Sequence, residues 1–385
     1  MKSCALLLEL LFALLLNPFT ATSQSNQFLP PKDSFINNDE LQDKFAGIDF
    51  RSIDSFAKTV KYENGLFPMT NILTQKYSSQ IEKLRSIFIW ITENIKYDCD
   101  FLNKDEDPPS FECEGDSISC ADGLSKWEME YINKVLKKKR TICQGYSMLL
   151  KKMCDISGIE CEIISGYAKN KSYQVGIPFI ADHAWNAVRI DSVYYFLDAT
   201  WAAGFCPLCI FDDDLYCEFV KSYKNYYWLT PFNKLVRDHY PSNGKWVMEP
   251  NYTKEKFFDN AFFYGQYALE HIDILSPNTG VIEAKVGDTI HFKFTYTGPE
   301  INKMQINSNI WRNPSIDYYE TYGNGNNKRR WVHDTLALKK QVYLPFRKTH
   351  DLYEVDYIVT NSALYVIDIL FEHAYAMRFK VKIKE

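Results

Sequence analysis

The chain has 385 residues, 46% hydrophobic and 24% charged, which excludes wholesale disorder and leaves room for two or three domains. Lys and Arg total 44 against 49 Asp and Glu, so the formal charge is -5 and nothing favours nucleic-acid phosphates as a partner. Aromatics reach 16%, enough large rings to fill sheets and grooves.

Lys2 precedes an apolar run, Leu6–Leu16, broken only by Glu9, and Ala21-Thr22-Ser23 offers small residues for cleavage. This pattern predicts a signal peptide over residues 1–23, because the run falls short of the roughly 20 residues of a membrane span. A short uncleaved anchor is the alternative. The mature protein is expected to be secreted or periplasmic, without stable membrane insertion. Residues 24–77 are polar with scattered aromatics and read as an N-terminal arm.

From Ser78 the apolar residues Ile81, Leu84, Phe88, Ile91 and Ile95 recur at helical spacing. Residues 98–125, with Pro108-Pro109, read as a loop. Residues 142–157 are helical again, with Tyr146, Leu149, Leu150 and Met153 on one stripe and Gly158 as the stop. Strand-like runs follow at Cys161–Ala168, His183–Ile190 and Val193–Ala199. The texture changes near Ser276-Pro277-Asn278-Thr279-Gly280. Beyond it, short alternating runs (Thr289–Tyr296, Lys340–Leu344, Leu364–Phe371, Ala376–Ile383) suggest a β-sandwich. The segmentation is therefore an arm over 24–77, a mixed domain over 78–268 and a β-sandwich over 269–385.

Ten cysteines less Cys4 leave nine, an odd number for an oxidising compartment. Cys143 stands apart and is expected to be the unpaired thiol. The clusters Cys99, Cys113, Cys120 and Cys206, Cys209, Cys217 are the natural candidates for bridges. Cys154 and Cys161 fit either a bridge or buried free thiols. The Cys206-Pro207-Leu208-Cys209 spacing suits a disulfide-bearing loop better than zinc, and Asp212-Asp213-Asp214 lacks calcium-loop spacing. No metal or cofactor is expected.

Cys143 opens the second helix, where unpaired amides and the dipole favour a thiolate and can hold an oxyanion. Between residues 24 and 270 only His183 and His239 could serve it as a base. A hairpin turning at Asp191-Ser192 puts Trp185 opposite Asp198 and His183 opposite Thr200. His183 and Asp198 then become diagonal neighbours on one face. Taken singly, Cys143 also fits a small buried residue at a helix start, His183 a core histidine, and Asp198 a strand-end cap. Together they form a nucleophile, a base and its orienting acid.

Cys143-Gln144-Gly145-Tyr146, His183-Ala184-Trp185-Asn186 and Asp198-Ala199-Thr200-Trp201 resemble, in this order, the transglutaminase-like superfamily of papain-related thiol enzymes. The resemblance covers roughly residues 78–250. It extends to the kyphoscoliosis-peptidase branch through Tyr227-Trp228-Leu229-Thr230-Pro231 and His239-Tyr240-Pro241. It departs at Thr141, where the family commonly has Gly. It implies an α+β core with a helix packed on an antiparallel sheet, and the strand pattern beyond it reads as an Ig-like sandwich. It further implies Cys143 as nucleophile, His183 as base and Asp198 as orienter, acting on a protein or peptide substrate. Two functions stay open. One is an exported thiol enzyme cleaving or transferring amide acyl groups, with hydrolysis preferred. The other is a catalytically silent binding protein that docks through its C-terminal domain.

Overall fold

The computed structural model describes residues 45–385 except 46, 64, 105, 114, 209–217 and 323–327. The predicted signal peptide, the first half of the predicted arm, Cys209, Cys217 and the Asp212–Asp214 run lie outside the described residues. Two compact units emerge. One takes the chain up to Ser165, His183–Pro231 and Asn243–Met248; the other takes Gly166–Asp182, Phe232–Ser242 and Glu249–Glu385.

The first unit is α+β. Its helices are α1 (Phe50–Thr59), α2 (Leu66–Thr74), α3 (Gln80–Asn94), α4 (Cys99–Lys104), α5 (Ser117–Lys138), α6 (Cys143–Ile156) and α7 (Ala199–Ala203). Strands β1 (Lys96–Tyr97) and β2 (Arg140–Thr141) pair in parallel, while β3 (Glu160–Ala168), β4 (His183–Ile190) and β5 (Val193–Leu197) lie in the order β5-β4-β3. Helix α6 is the hub, touching α2, α3, α5, α7 and β4. Its stripe of Tyr146, Leu149, Leu150 and Met153 is fully buried. At about 1.5–3 kcal/mol per side chain, that burial outweighs the 0.5–2 kcal/mol an N-cap would add. The helix can thus start at Cys143 although Ile142 gives no side-chain cap. Tyr146 Oη donates to Ile95 O at 2.6 Å, fixing α6 to the end of α3.

Two readings need correction. The residues before Ser78 that are described form helices α1 and α2, and both pack on α3. The periodicity was hidden because each helix buries only a few apolar positions, such as Ile53 and Ala57 or Leu66, Met69 and Leu73. The stretch 98–125 is also not a loop throughout. It holds α4 and the first turns of the 22-residue α5, whose amides at Ile118 and Ser119 are capped by Asp116.

The second unit carries most of the remaining strands. The last three residues of β3 pair with His239–Pro241. A four-stranded antiparallel sheet joins Ile272–Ser276, Thr289–Tyr296, Leu352–Ile358 and Phe346–Thr349. A second sheet runs Val281–Ala284, Ala374–Ile383, Val366–Phe371 and Met304–Ser308, with its first pair parallel. Both sheets feed one core containing Phe292, Phe294, Tyr353, Ile367, Ile369 and Phe379. Thr289–Tyr296 shows the predicted alternation, burying Ile290, Phe292, Phe294 and Tyr296. The run Lys340–Leu344 is not a strand; the strand lies at Phe346–Thr349 instead, on the sheet edge. No helix among the described residues is long and apolar enough to cross a membrane.

Candidate active site

The β4–β5 hairpin turns at Asp191 and Ser192, both at positive φ (48° and 72°). That turn sets the register predicted from it: Ile190 pairs with Val193 and Asn186 with Leu197. The ladder stops there. Asp198 leaves the strand and becomes the N-cap of α7, its Oδ1 accepting from the amides of Thr200 (2.7 Å) and Trp201 (3.0 Å). The other oxygen, Oδ2, lies 2.7 Å from Nε2 of His183. Asp198 is therefore both the strand-end cap and the partner of His183, one role for each oxygen. With His183 7% and Asp198 0% exposed at the side chain, the pair is shut away from water.

The imidazole lies between indoles, its ring centroid 6.0 Å from that of Trp185 and 5.3 Å from that of Trp201. Burial by itself lowers the pKa of His183. The charge and hydrogen bond of Asp198 act against it, reinforced by a hydrogen bond and charge from Cys143, and the net result lies well above the ordinary histidine value. With Nε2 given to Asp198, Nδ1 is the nitrogen left for the thiol.

Cys143 is half-buried at the first position of α6 and makes no disulfide. The first intrahelical acceptor, Ile142 O, takes the amides of Gly145 (3.0 Å) and Tyr146 (3.2 Å). The amides of Cys143 and Gln144 come before these first donors and so have no intrahelical partner. The structure brings Cys143, His183 and Asp198 together: a thiol on an uncapped helix mouth, an imidazole beside it, and a doubly anchored carboxylate behind. Such a set can attack a carbonyl, hold the oxyanion and protonate a leaving group.

Thr141, where the resembled family has Gly, is buried and packs into the space above Gly145. A Cβ built on Gly145 would stand 2.0 Å from Thr141 Oγ1. The bulk at 141 and the bareness at 145 compensate one another. Asn186 ties the sheet to α6, its Nδ2 donating to Ser147 O (3.1 Å) and Glu162 O (3.3 Å). The sequence gives the α5 residues near the site no marker; for Asn186 the available signal is a lone amide inside the strand run His183–Ile190, which the structure buries.

Among the described residues two disulfides are present, Cys99–Cys206 and Cys113–Cys120, while Cys154 and Cys161 are buried free thiols. Burial raises Cys154 well above the ordinary thiol value, which keeps it protonated and inert. His239 pairs with Asp238 at 2.6 Å in the second unit.

Residues 69–199 match the family profile of the transglutaminase-like superfamily. The kyphoscoliosis peptidase of Mus musculus is 27% identical over 311 residues, covering 79% of this chain and 40% of the relative. That of Homo sapiens is 27% identical over 251 residues, covering 64% and 33%. The chain thus spans well under half the length of these relatives. A solved structure of a TGase is 14% identical, covering 42% of this chain and 36% of the other, with a TM-score of 0.24.

Proposed function

The chain carries a transglutaminase-like domain related to the kyphoscoliosis peptidases, and from that footing we propose that it is an exported thiol enzyme acting on amide bonds of proteins or peptides. The observation that carries this reading is the buried 2.7 Å contact between His183 and Asp198, with Cys143 close enough to help raise the pKa of the same imidazole. Cys143 attacks the amide carbonyl, and the amides of Cys143 and Gln144 hold the oxyanion. His183 delivers its proton to the departing amine, leaving an acyl group on sulfur. Asp198 orients the ring and stabilises its cation in a water-poor site. Water, activated by the now neutral His183, then releases the acid and regenerates the thiol.

Hydrolysis is preferred to transfer because the related proteins bear the name peptidase and water needs no site of its own. Export is supported by the apolar leader in the sequence and by the two disulfides, which persist in oxidising compartments. The two sheets sharing one core over residues 272–383 support an Ig-like sandwich, and such a module would serve for docking to a protein partner. The test is to incubate wild type and Cys143→Ala with a peptide library, with and without a primary amine, and to weigh the products. Cleaved peptides from wild type alone support the reading; equal products from Cys143→Ala overturn it, and amine-adducted products shift it to acyl transfer.

A further inference from the structure

A cavity of about 240 Å³ adjoins the nucleophile segment, lined by Phe101, Pro109, Trp127, Tyr131, Thr141 and Ile142. The last two residues immediately precede Cys143. Pro109 reaches the residue after it, its carbonyl accepting from Gln144 Nε2 at 3.0 Å. Tyr131 Oη lies 3.2 Å from Thr141 Oγ1, two residues before Cys143, and burial pushes the phenol up from its ordinary value. The cavity is therefore part of the nucleophile's surroundings. Its size, below the roughly 300 Å³ at which small-molecule sites begin, suits one side chain.

The lining is built, not incidental. Trp127 and Tyr131 stand four apart on α5, with ring centroids 5.6 Å apart and planes 7° from parallel. Phe111 lies 6.4 Å from Trp127 and presses on Gly123, where a Cβ would come within 2.8 Å of its ring. The Cys113–Cys120 disulfide ties the loop of Phe111 to α5. Three cations at the cavity, Lys134, Lys138 and Arg140, face two carboxylates, Asp98 and Glu130, which disfavours a basic occupant. Asp98 Oδ1 is buried and lies 3.5 Å from Arg140 Nη1, an ion pair that sets the guanidinium at the cavity.

We propose that this cavity is a specificity pocket that takes an aromatic side chain of the substrate next to the scissile amide. The ring lies on the Trp127–Tyr131 pair with the cations near its faces. The inference rests on Cys143 being the nucleophile, and its test separates the two. Labelling of Cys143 is followed by mass with iodoacetamide, which carries no side chain, and with benzyloxycarbonyl-phenylalanyl and -alanyl chloromethyl ketones, whose chloride leaves as sulfur bonds to the methylene. Wild type should prefer the phenylalanyl reagent by about tenfold or more. Trp127→Ala should bring that ratio within about twofold of one with its iodoacetamide rate unchanged, and Trp127→Phe should keep most of the preference. A wild-type ratio near one, or an unchanged ratio in Trp127→Ala, overturns the pocket. A second reading needs no chemistry: N-acetylphenylalaninamide, but not N-acetylalaninamide, should raise the Tm of Cys143→Ala. If that shift appears while iodoacetamide leaves wild-type Cys143 unlabelled, the pocket stands and the nucleophile reading falls.

Discussion

The first unit holds His183 and Asp198 at 2.7 Å; the second holds His291 and Asp356 at 2.8 Å. Distance does not separate them, but surroundings do. His291 is 69% exposed, whereas His183 is 7% exposed. Asp356 leans on His291 and then Arg347, which hold its carboxyl below the usual range, and water screens the group. Asp198 has no such screen. Its second oxygen is held by two helix amides, and its charge raises the pKa of the buried His183 imidazole. A histidine–carboxylate contact therefore becomes chemically useful when burial, full hydrogen bonding and a neighbouring thiol coincide.

The largest effects should break that comparison outright. Asp198→Asn keeps an N-cap residue for α7 but removes the charge, so turnover should fall by about 10⁴ while the protein still folds. Asp356→Asn should leave turnover unchanged. Steady-state rates on a peptide substrate, with melting curves as the folding control, distinguish the two substitutions. Replacing both Cys99 and Cys206 by Ser should cost about 2–4 kcal/mol in denaturant unfolding, because this bridge closes a long loop of the first unit. Pairing of Cys206 with another cysteine, seen by peptide mapping, would contradict the assignment.

Gly145→Ala should destabilise by about 1–3 kcal/mol through its collision with Thr141. Adding Thr141→Gly should recover part of that loss, so the double mutant is more stable than the sum of the singles. Strict additivity would show that the two positions do not compete for space.

The smallest effect is a pH dependence. Because the folded pKa of His183 is raised, its share of stability is fully present below the unfolded value of about 6.5 and is lost as pH rises through the folded pKa. The Tm gap between wild type and His183→Gln should therefore narrow on the alkaline side. A gap that widens with pH would reverse the sign and refute the account.

Much of the site was legible because local chemistry fixes it. The Asp191-Ser192 turn determines the register, and the register puts His183 and Asp198 within reach. The stripe Tyr146, Leu149, Leu150, Met153 sets the start and the buried face of α6. The transition of Asp198 from strand to helix cap was less legible, since one carboxylate does both jobs and either reading alone looks sufficient. Helix α5 escaped because its buried residues are few, Ile132, Val135 and Leu136, and its first turns are rich in Ser, Asp and Gly. With it went the aromatic pair Trp127–Tyr131, which faces a cavity that only the tertiary fold creates. The edge strand Phe346–Thr349 was missed for a similar reason. It is mostly exposed, and no alternation of buried residues marks it.

The account stands or falls on whether His183 and Asp198 empower Cys143. The most direct measurement is the rate at which benzyloxycarbonyl-phenylalanyl chloromethyl ketone labels Cys143 at pH 7, read by mass in wild type, His183→Gln and Asp198→Asn. The account predicts a fall of about 10² or more in His183→Gln and a clear fall in Asp198→Asn, with the folded structure kept in both. Equal rates in all three would show that Cys143 reacts as an ordinary surface thiol, and the proposed mechanism would be wrong.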